Sequence, residues 1–206
     1  MITMKTYLKS LAIFGLLMLC QHLAATNSVY QGFQFKLTYP AQWISGFKFK
    51  GTQGYTYLEN ENFLVVEATQ HSLGGAFIDG IIDNLQDPCA QSGLEYRLKS
   101  NYQTMFDPIE IINMERIFVG SHRALRVQWI GTAKVAYFEE NTKGQLMYFS
   151  NYYIPSPYHW QQCYEIVGFS TLWNEDIENK ILDIVQTFQA EYTPSPNPHD
   201  WRFKAE

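Results

Sequence analysis

Several absences narrow the chemistry of this sequence before any pattern in it is read. It has three cysteines and five histidines in 206 residues. His71, His122 and His199 show no paired spacing. His159-x-x-x-Cys163 has the spacing of two ligands on one helical turn, but it lies in a Pro- and Tyr-rich turn, and a structural metal site needs about four ligands. No metal and no cofactor are expected. No Gly-x-Ser-x-Gly elbow is present, and no Ser or Cys stands in a recognisable nucleophile motif. Glu139-Glu140 is an adjacent carboxylate pair on a polar stretch and reads as a solvated turn. Basic residues are scarce too, with Lys+Arg 15 against Asp+Glu 20. That balance excludes a surface built for nucleic acid or anionic membrane, since both require clustered cations. The sequence has no internal repeat and no low-complexity block. It also has no apolar run near the roughly 20 residues that a membrane-spanning helix needs.

The longest apolar run, Leu11 to Leu19, reads instead as part of an export signal. Lys5 and Lys9 precede it, the first acidic residue is Glu59, and Leu23-Ala24-Ala25 supplies small residues for cleavage. Residues 1–25 are therefore expected to be a signal peptide, residues 26–190 an α+β domain, and residues 191–206 a Pro-rich C-terminal tail. Cys20 allows a rival reading as a lipid-anchored cysteine, although Leu19 before it is larger than such signals favour. Lys5 and Lys9 leave with the signal, so the formal charge falls from −5 to −7. The expected location is the periplasm or the exterior of the cell, with no membrane span.

Cleavage also leaves two cysteines, Cys89 and Cys163. An even pair in an exported chain is expected to form one disulfide, tying the middle of the chain to its last strand. The competing reading is two buried free thiols.

Local pattern marks the elements. Phe33, Phe35, Leu37 and Tyr39 alternate with polar residues up to Pro40, which predicts the first strand of the core sheet within Tyr30 to Tyr39. Trp43 follows as an apolar plug over the sheet edge. Phe47 to Tyr57 reads as a short hairpin or irregular edge around Gly51 and Gly54, and Phe63 to Ala68 as a buried strand. Phe77, Ile78, Ile81, Ile82 and Leu85 recur at helical spacing and predict a helix near 76–85, closed by Asp87-Pro88. The Gly74-Gly75 pair before it lacks the basic residue of a phosphate loop and reads as a flexible lead-in turn. Alternation at Leu94, Tyr96 and Leu98, and again over Ile109 to Ile112, suggests weak strands. Ile117 to Val119, the Gly120-Ser121-His122 turn, and Leu125, Val127 and Trp129 spell a β-hairpin. A second hairpin is expected from Val135 to Phe138 and Leu146 to Tyr153, with Gly144 at its turn, and Cys163 to Ser170 is the last strand. Asn174 can cap a final helix whose first turn holds Glu175 and Asp176, with Ile177, Ile181, Ile184, Val185 and Phe188 on one face.

One feature points to binding. Tyr148, Tyr152, Tyr153, Tyr158, Trp160 and Tyr164 crowd the segment around Pro155 and Pro157. Tyr and Trp offer large contact area with a polar tip, and sugar rings stack on them as well. Tyr148, Tyr152, Tyr153, Tyr158 and Trp160 form the candidate contact surface. The other reading is that alternate tyrosines fill the core while the rest cover a sheet face.

The order of elements, together with Tyr39-Pro40-x-x-Trp43, the Gly120-Ser121-His122-Arg123-Ala124 turn and the Ile177 to Phe188 helix, resembles the PsbP-like family over Phe33 to Phe188. The resemblance implies an α+β fold with an antiparallel sheet sandwiched between helices. Relatives include an extrinsic photosystem II subunit, an import factor that binds the GTPase Ran, and small exported bacterial proteins. Most bind other proteins and share no catalytic residues. The expectation that follows is an exported, non-enzymatic protein-binding or assembly module. The alternative is a binder of a small apolar or glycan ligand, and a hydrolase with an unfamiliar site ranks last.

Overall fold

The computed structural model describes residues 27–31, 34–41, 44–50, 53–59, 65–71, 74–134 and 143–192, with the backbone alone between 44 and 71. The expected signal peptide with Cys20, the tail beyond 192, Phe33, Trp43, Val135 to Phe138 and Glu139-Glu140 lie outside the described residues.

In chain order the elements are β1 (Asn27–Gln31), β2 (Phe35–Pro40), β3 (Ile44–Lys50), β4 (Gln53–Glu59), β5 (Val65–His71), α1 (Gly75–Asp83), α2 (Pro88–Tyr102), β6 (Phe106–Val119), β7 (His122–Ala133), β8 (Leu146–Pro155), β9 (Cys163–Ser170), α3 (Glu175–Val185) and β10 (Gln189–Ala190). Seven strands form one antiparallel sheet in the order β3-β4-β5-β9-β8-β7-β6, and a small second sheet has the order β1-β2-β10. The fold class is α+β, as expected.

β9 explains the layering. All eight of its residues are buried, as a strand covered on both faces must be. Its side chains still alternate between two cores. Cys163, Val167 and Phe169 join Ile78, Ile81, Leu94 and Leu98 beneath α1 and α2. Tyr164 and Ile166 join Ile177, Ile181, Val185 and Phe188 of the α3 region, together with Phe35, Leu37 and Tyr39 of the small sheet. Gly168 permits close approach on that second side, because a Cβ there would stand 2.5–2.8 Å from side-chain carbons of Ile181. Ile181 is fully buried and has nowhere to retreat.

The α3 helix forms as its sequence predicts: the Asn174 side chain accepts from the Ile177 amide at 2.9 Å, and Glu175 and Asp176 occupy the first turn. The β6–β7 hairpin closes through Gly120, whose φ of +57 suits the first central position of a two-residue loop. Gly144 also has positive φ, +82, at the turn before β8.

Four expectations need correction. The first strand divides into the β1–β2 hairpin, with Gln34 at φ +64 in the turn, and it belongs to the small sheet rather than the main one. Asp87-Pro88 does not merely close α1; it opens α2, since the Asp87 carboxylate accepts from the Cys89 amide at 2.9 Å and Pro88 occupies the first turn. The alternation at 94, 96 and 98 is therefore helical: Leu94 and Leu98 are one turn apart and buried, and Tyr96 is 75% exposed on the opposite side. Ile109 to Ile112 does lie in a strand, β6. Finally, β8 pairs with β7, with Thr132 opposite Leu146 and Leu125 opposite Tyr153.

Candidate functional site

The aromatic segment divides sharply. Tyr152, Tyr153 and Tyr164 are 0%, 8% and 1% exposed, so they are core residues and cannot form a contact surface. Their burial follows from β8 and β9 lying mid-sheet with helices on both faces. Tyr148 is half-buried and stacks on Trp173 at 6.1 Å between ring centres. Tyr158 and Trp160 alone stand out, at 37% and 64% exposure. Both belong to the β8–β9 connection.

That connection is firmly held. Ser156 N donates to Gln162 O at 2.9 Å, and Gln162 N donates to His159 O at 2.9 Å. The Gln161 amide donates to His159 Nδ1 at 3.3 Å, with the imidazole buried beneath the loop. From outside the loop, Ala76 N donates to Trp160 O at 2.7 Å and Gly74 N to Gln161 O at 3.0 Å. The Gly-Gly pair thus docks the loop against the start of α1. A Cβ on Gly75 would run into the carbonyl oxygens of Gln162 and Trp160. The backbone under Trp160 is fixed while its indole stays in solvent.

A different constellation lies in the core beneath α2, and sequence reasoning missed it. Trp129 Nε1 donates to Asn151 Oδ1 at 2.7 Å, and Asn151 Nδ2 donates to Glu165 Oε1 at 2.7 Å. The same Asn151 amide reaches the hydroxyls of Tyr102 and Tyr153 at 3.2 and 3.3 Å, and Tyr102 donates to Glu165 at 3.3 Å. Four separate elements, α2, β7, β8 and β9, contribute to this network. Its only local sign in the sequence is polar Asn151 and Glu165 within two otherwise apolar strands. Burial, reinforced by the Glu165 charge, pushes the Tyr153 phenol well above its ordinary range. The Cys163 thiol, two residues from Glu165, is pushed up to about 12 by burial and by the same carboxylate. A thiol so placed stays protonated at neutral pH and is a poor nucleophile.

A cleft of about 60 Å³ opens beside the network, lined by residues that include Arg97, Asn101, Tyr153, Cys163 and Glu165. Arg97 lies 4.0 Å above the Phe77 ring. That volume holds a water or two, well below the roughly 300 Å³ of small-molecule pockets. Glu165 and its partners therefore serve to fix the register of the central strands.

The expected Cys89–Cys163 disulfide is absent: both thiols are free. Cys163 points under the start of α1, where its Sγ would lie 3.5 Å from a Cβ on Gly74, and Cys89 is exposed on the first turn of α2. The sequence shows how many cysteines there are but not which way each one faces. Among the described residues no cluster of three or more His, Cys, Asp or Glu could hold a metal ion. His159 and Cys163 are both buried, one under its own loop and the other beneath α1. No helix among the described residues is long and apolar enough to cross a membrane.

The described residues thus define an antiparallel α+β sandwich with one exposed aromatic loop. No family model and no curated protein matches the chain. Among solved structures it is similar to the solution structure of cyanobacterial PsbP (CyanoP) from Synechocystis sp. PCC 6803, with 13% sequence identity, 81% of this chain and 93% of that chain covered, and a TM-score of 0.49.

Proposed function

We propose that this protein is an exported, non-enzymatic module that binds another protein through the β8–β9 loop. The observation that carries the reading is Trp160, 64% exposed on a loop that His159, Gln162, Gly74 and Ala76 hold in one conformation. A large side chain presented on a fixed backbone loses little conformational entropy on binding, which is the character of an interface hot spot. Tyr158 extends the surface, with its ring 5.5 Å from that of Tyr192. The expected signal peptide supports export. The high pKa of the Cys163 thiol and the enclosure of Glu165 support a role without catalysis.

The test is affinity capture from the envelope and culture fractions of the native host, with wild type beside the Trp160→Ala/Tyr158→Ala variant. Both side chains are exposed, so the variant should melt with the wild type. At least one partner should be lost from the variant. Recovery of an unchanged set of partners would reject the loop as the contact surface.

A further inference from the structure

Beside the loop, on the α3 side of the molecule, lies a groove that shares Tyr158 with the proposed protein contact and extends away from Trp160. Four segments enclose it: Thr38 of β2, Gly120, Ser121 and His122 at the β6–β7 turn, Tyr158, and the chain from Gln186 to Ala190 that leaves α3. It is an open surface groove of about 700 Å³.

Two side chains fix its walls. Gln186 clamps the turn, accepting from the Gly120 amide at 3.0 Å and donating to Phe118 O at 2.8 Å. Thr187 Oγ1 accepts from Thr38 N at 2.8 Å and lies 3.0 Å from Thr38 O, joining the end of α3 to β2. The buried Phe188 ring forms the floor, with the His122 ring edge-on to it at 5.8 Å. Tyr158 is a wall, braced by Tyr192.

The lining has a definite chemistry. Among the described residues that line it there is no carboxylate, ammonium or guanidinium group. It offers hydroxyls from Ser121 and Tyr158, the side-chain amide of Gln189, and the rings of Tyr158, His122 and Phe188, while the Gln186 amide is committed to the turn. An anionic or cationic ligand would find no counter-charge there. A purely apolar ligand would cover hydroxyl and amide groups without replacing their bonds to water. A ligand that alternates apolar faces with neutral hydroxyls satisfies both kinds of wall. We infer that this groove binds a neutral saccharide of two or three rings, with one ring against Tyr158 and hydroxyls bonded to Ser121 and Gln189. Tyr158 lines the groove and Trp160 does not, so Trp160→Ala alone separates this site from the proposed protein contact.

The experiment is titration of the full chain with cellotriose, maltotriose and chitotriose, followed by backbone-amide NMR, with a trigalacturonate as the anionic counterpart. At least one neutral trisaccharide should shift the amides of Ser121, His122 and Gln189, with saturation in the millimolar range, and trigalacturonate should not. Tyr158→Ala, which removes the stacking wall, should weaken binding about tenfold or more, as the loss of about 1.4 kcal/mol would. Ser121→Ala should weaken it several-fold, and Trp160→Ala should leave it unchanged. Three results would overturn the site: no shifts from any neutral probe up to about ten millimolar, equal binding by Tyr158→Ala, or loss of binding in Trp160→Ala. Tyr158 belongs to both surfaces, so capture repeated with Trp160→Ala alone tests the protein contact while these three results test the groove, and the two readings then fail independently.

Discussion

Tyr152 and Tyr153 are neighbours on one strand, and they end in opposite kinds of core. Tyr153 faces α1 and α2, where Asn151 bonds to its hydroxyl and Trp129, Tyr102 and Glu165 complete a hydrogen-bonded network. Tyr152 faces α3, where neither its hydroxyl nor the Ser150 hydroxyl beside it has a hydrogen-bond partner, although both residues are fully buried. The Arg126 guanidinium lies near, and three of its five N–H groups go to Glu115 and Glu178. Polar burial on one face is thus compensated by partners from four elements. On the other face the Tyr164 hydroxyl donates to Gln34 O at 3.1 Å, while the Tyr152 hydroxyl lies close to Ser150 and Arg126 without a bond to either. A compensated polar group specifies one arrangement of strands, whereas an uncompensated one contributes its ring and little else.

The sharpest way to break that contrast is Asn151→Ala. It leaves the Trp129 indole N–H and the Glu165 carboxylate buried without their central partner, and should cost about 3–5 kcal/mol, enough to abolish folding in a marginal domain. Urea unfolding measures it, and a loss below about 1 kcal/mol would show that the network is dispensable.

Alkaline pH should produce the next largest effect. Burial pushes Cys163 from its ordinary 9.0 to about 12, and Tyr164 from 10.0 to about 12. These groups ionise more readily in the unfolded chain, so the unfolded state releases protons first as pH rises. Stability is therefore full below about pH 9 and falls as pH climbs towards 12. Cys163 alone contributes roughly 4 kcal/mol of loss by the end of that window. Denaturation midpoints unchanged between pH 8 and pH 11 would contradict the burial of both groups. Cys163→Ser should not mimic Cys163→Ala here, because it places a new hydroxyl under α1.

The smallest effect belongs to Tyr152→Phe. Deleting a buried hydroxyl that has no partner should leave stability unchanged or raise it by up to about 1 kcal/mol. A thermal melt of this variant beside Asn151→Ala reads the difference between the two faces directly. A loss above about 1 kcal/mol would mean that the Tyr152 hydroxyl is engaged after all, with Ser150 and Arg126 as its neighbours.

What could be read from the sequence was local. β9 begins and ends where Cys163 and Ser170 mark it, α3 follows its Asn174 cap and apolar face, and the β6–β7 turn lies at Gly120-Ser121. Hydrophobic period, capping and turn conformation depend on residues a few positions apart, so the chain states them openly. The misread stretch, 88–102, shows the limit. Leu94, Tyr96 and Leu98 satisfy a period of two and a helical period equally well, and only packing against α1 and the sheet decides between them. Apart from the antiparallel sandwich that the family resemblance implied, the three-dimensional contacts were hidden. They decided that Tyr152 and Tyr153 are core while Tyr158 and Trp160 face solvent, that Cys89 and Cys163 point to different environments, and that four distant segments enclose the groove at His122. The physical reason is the same in each case. A strand's sequence fixes which side chains share a face, and only the element laid against that face determines whether they meet a helix, a partner or water.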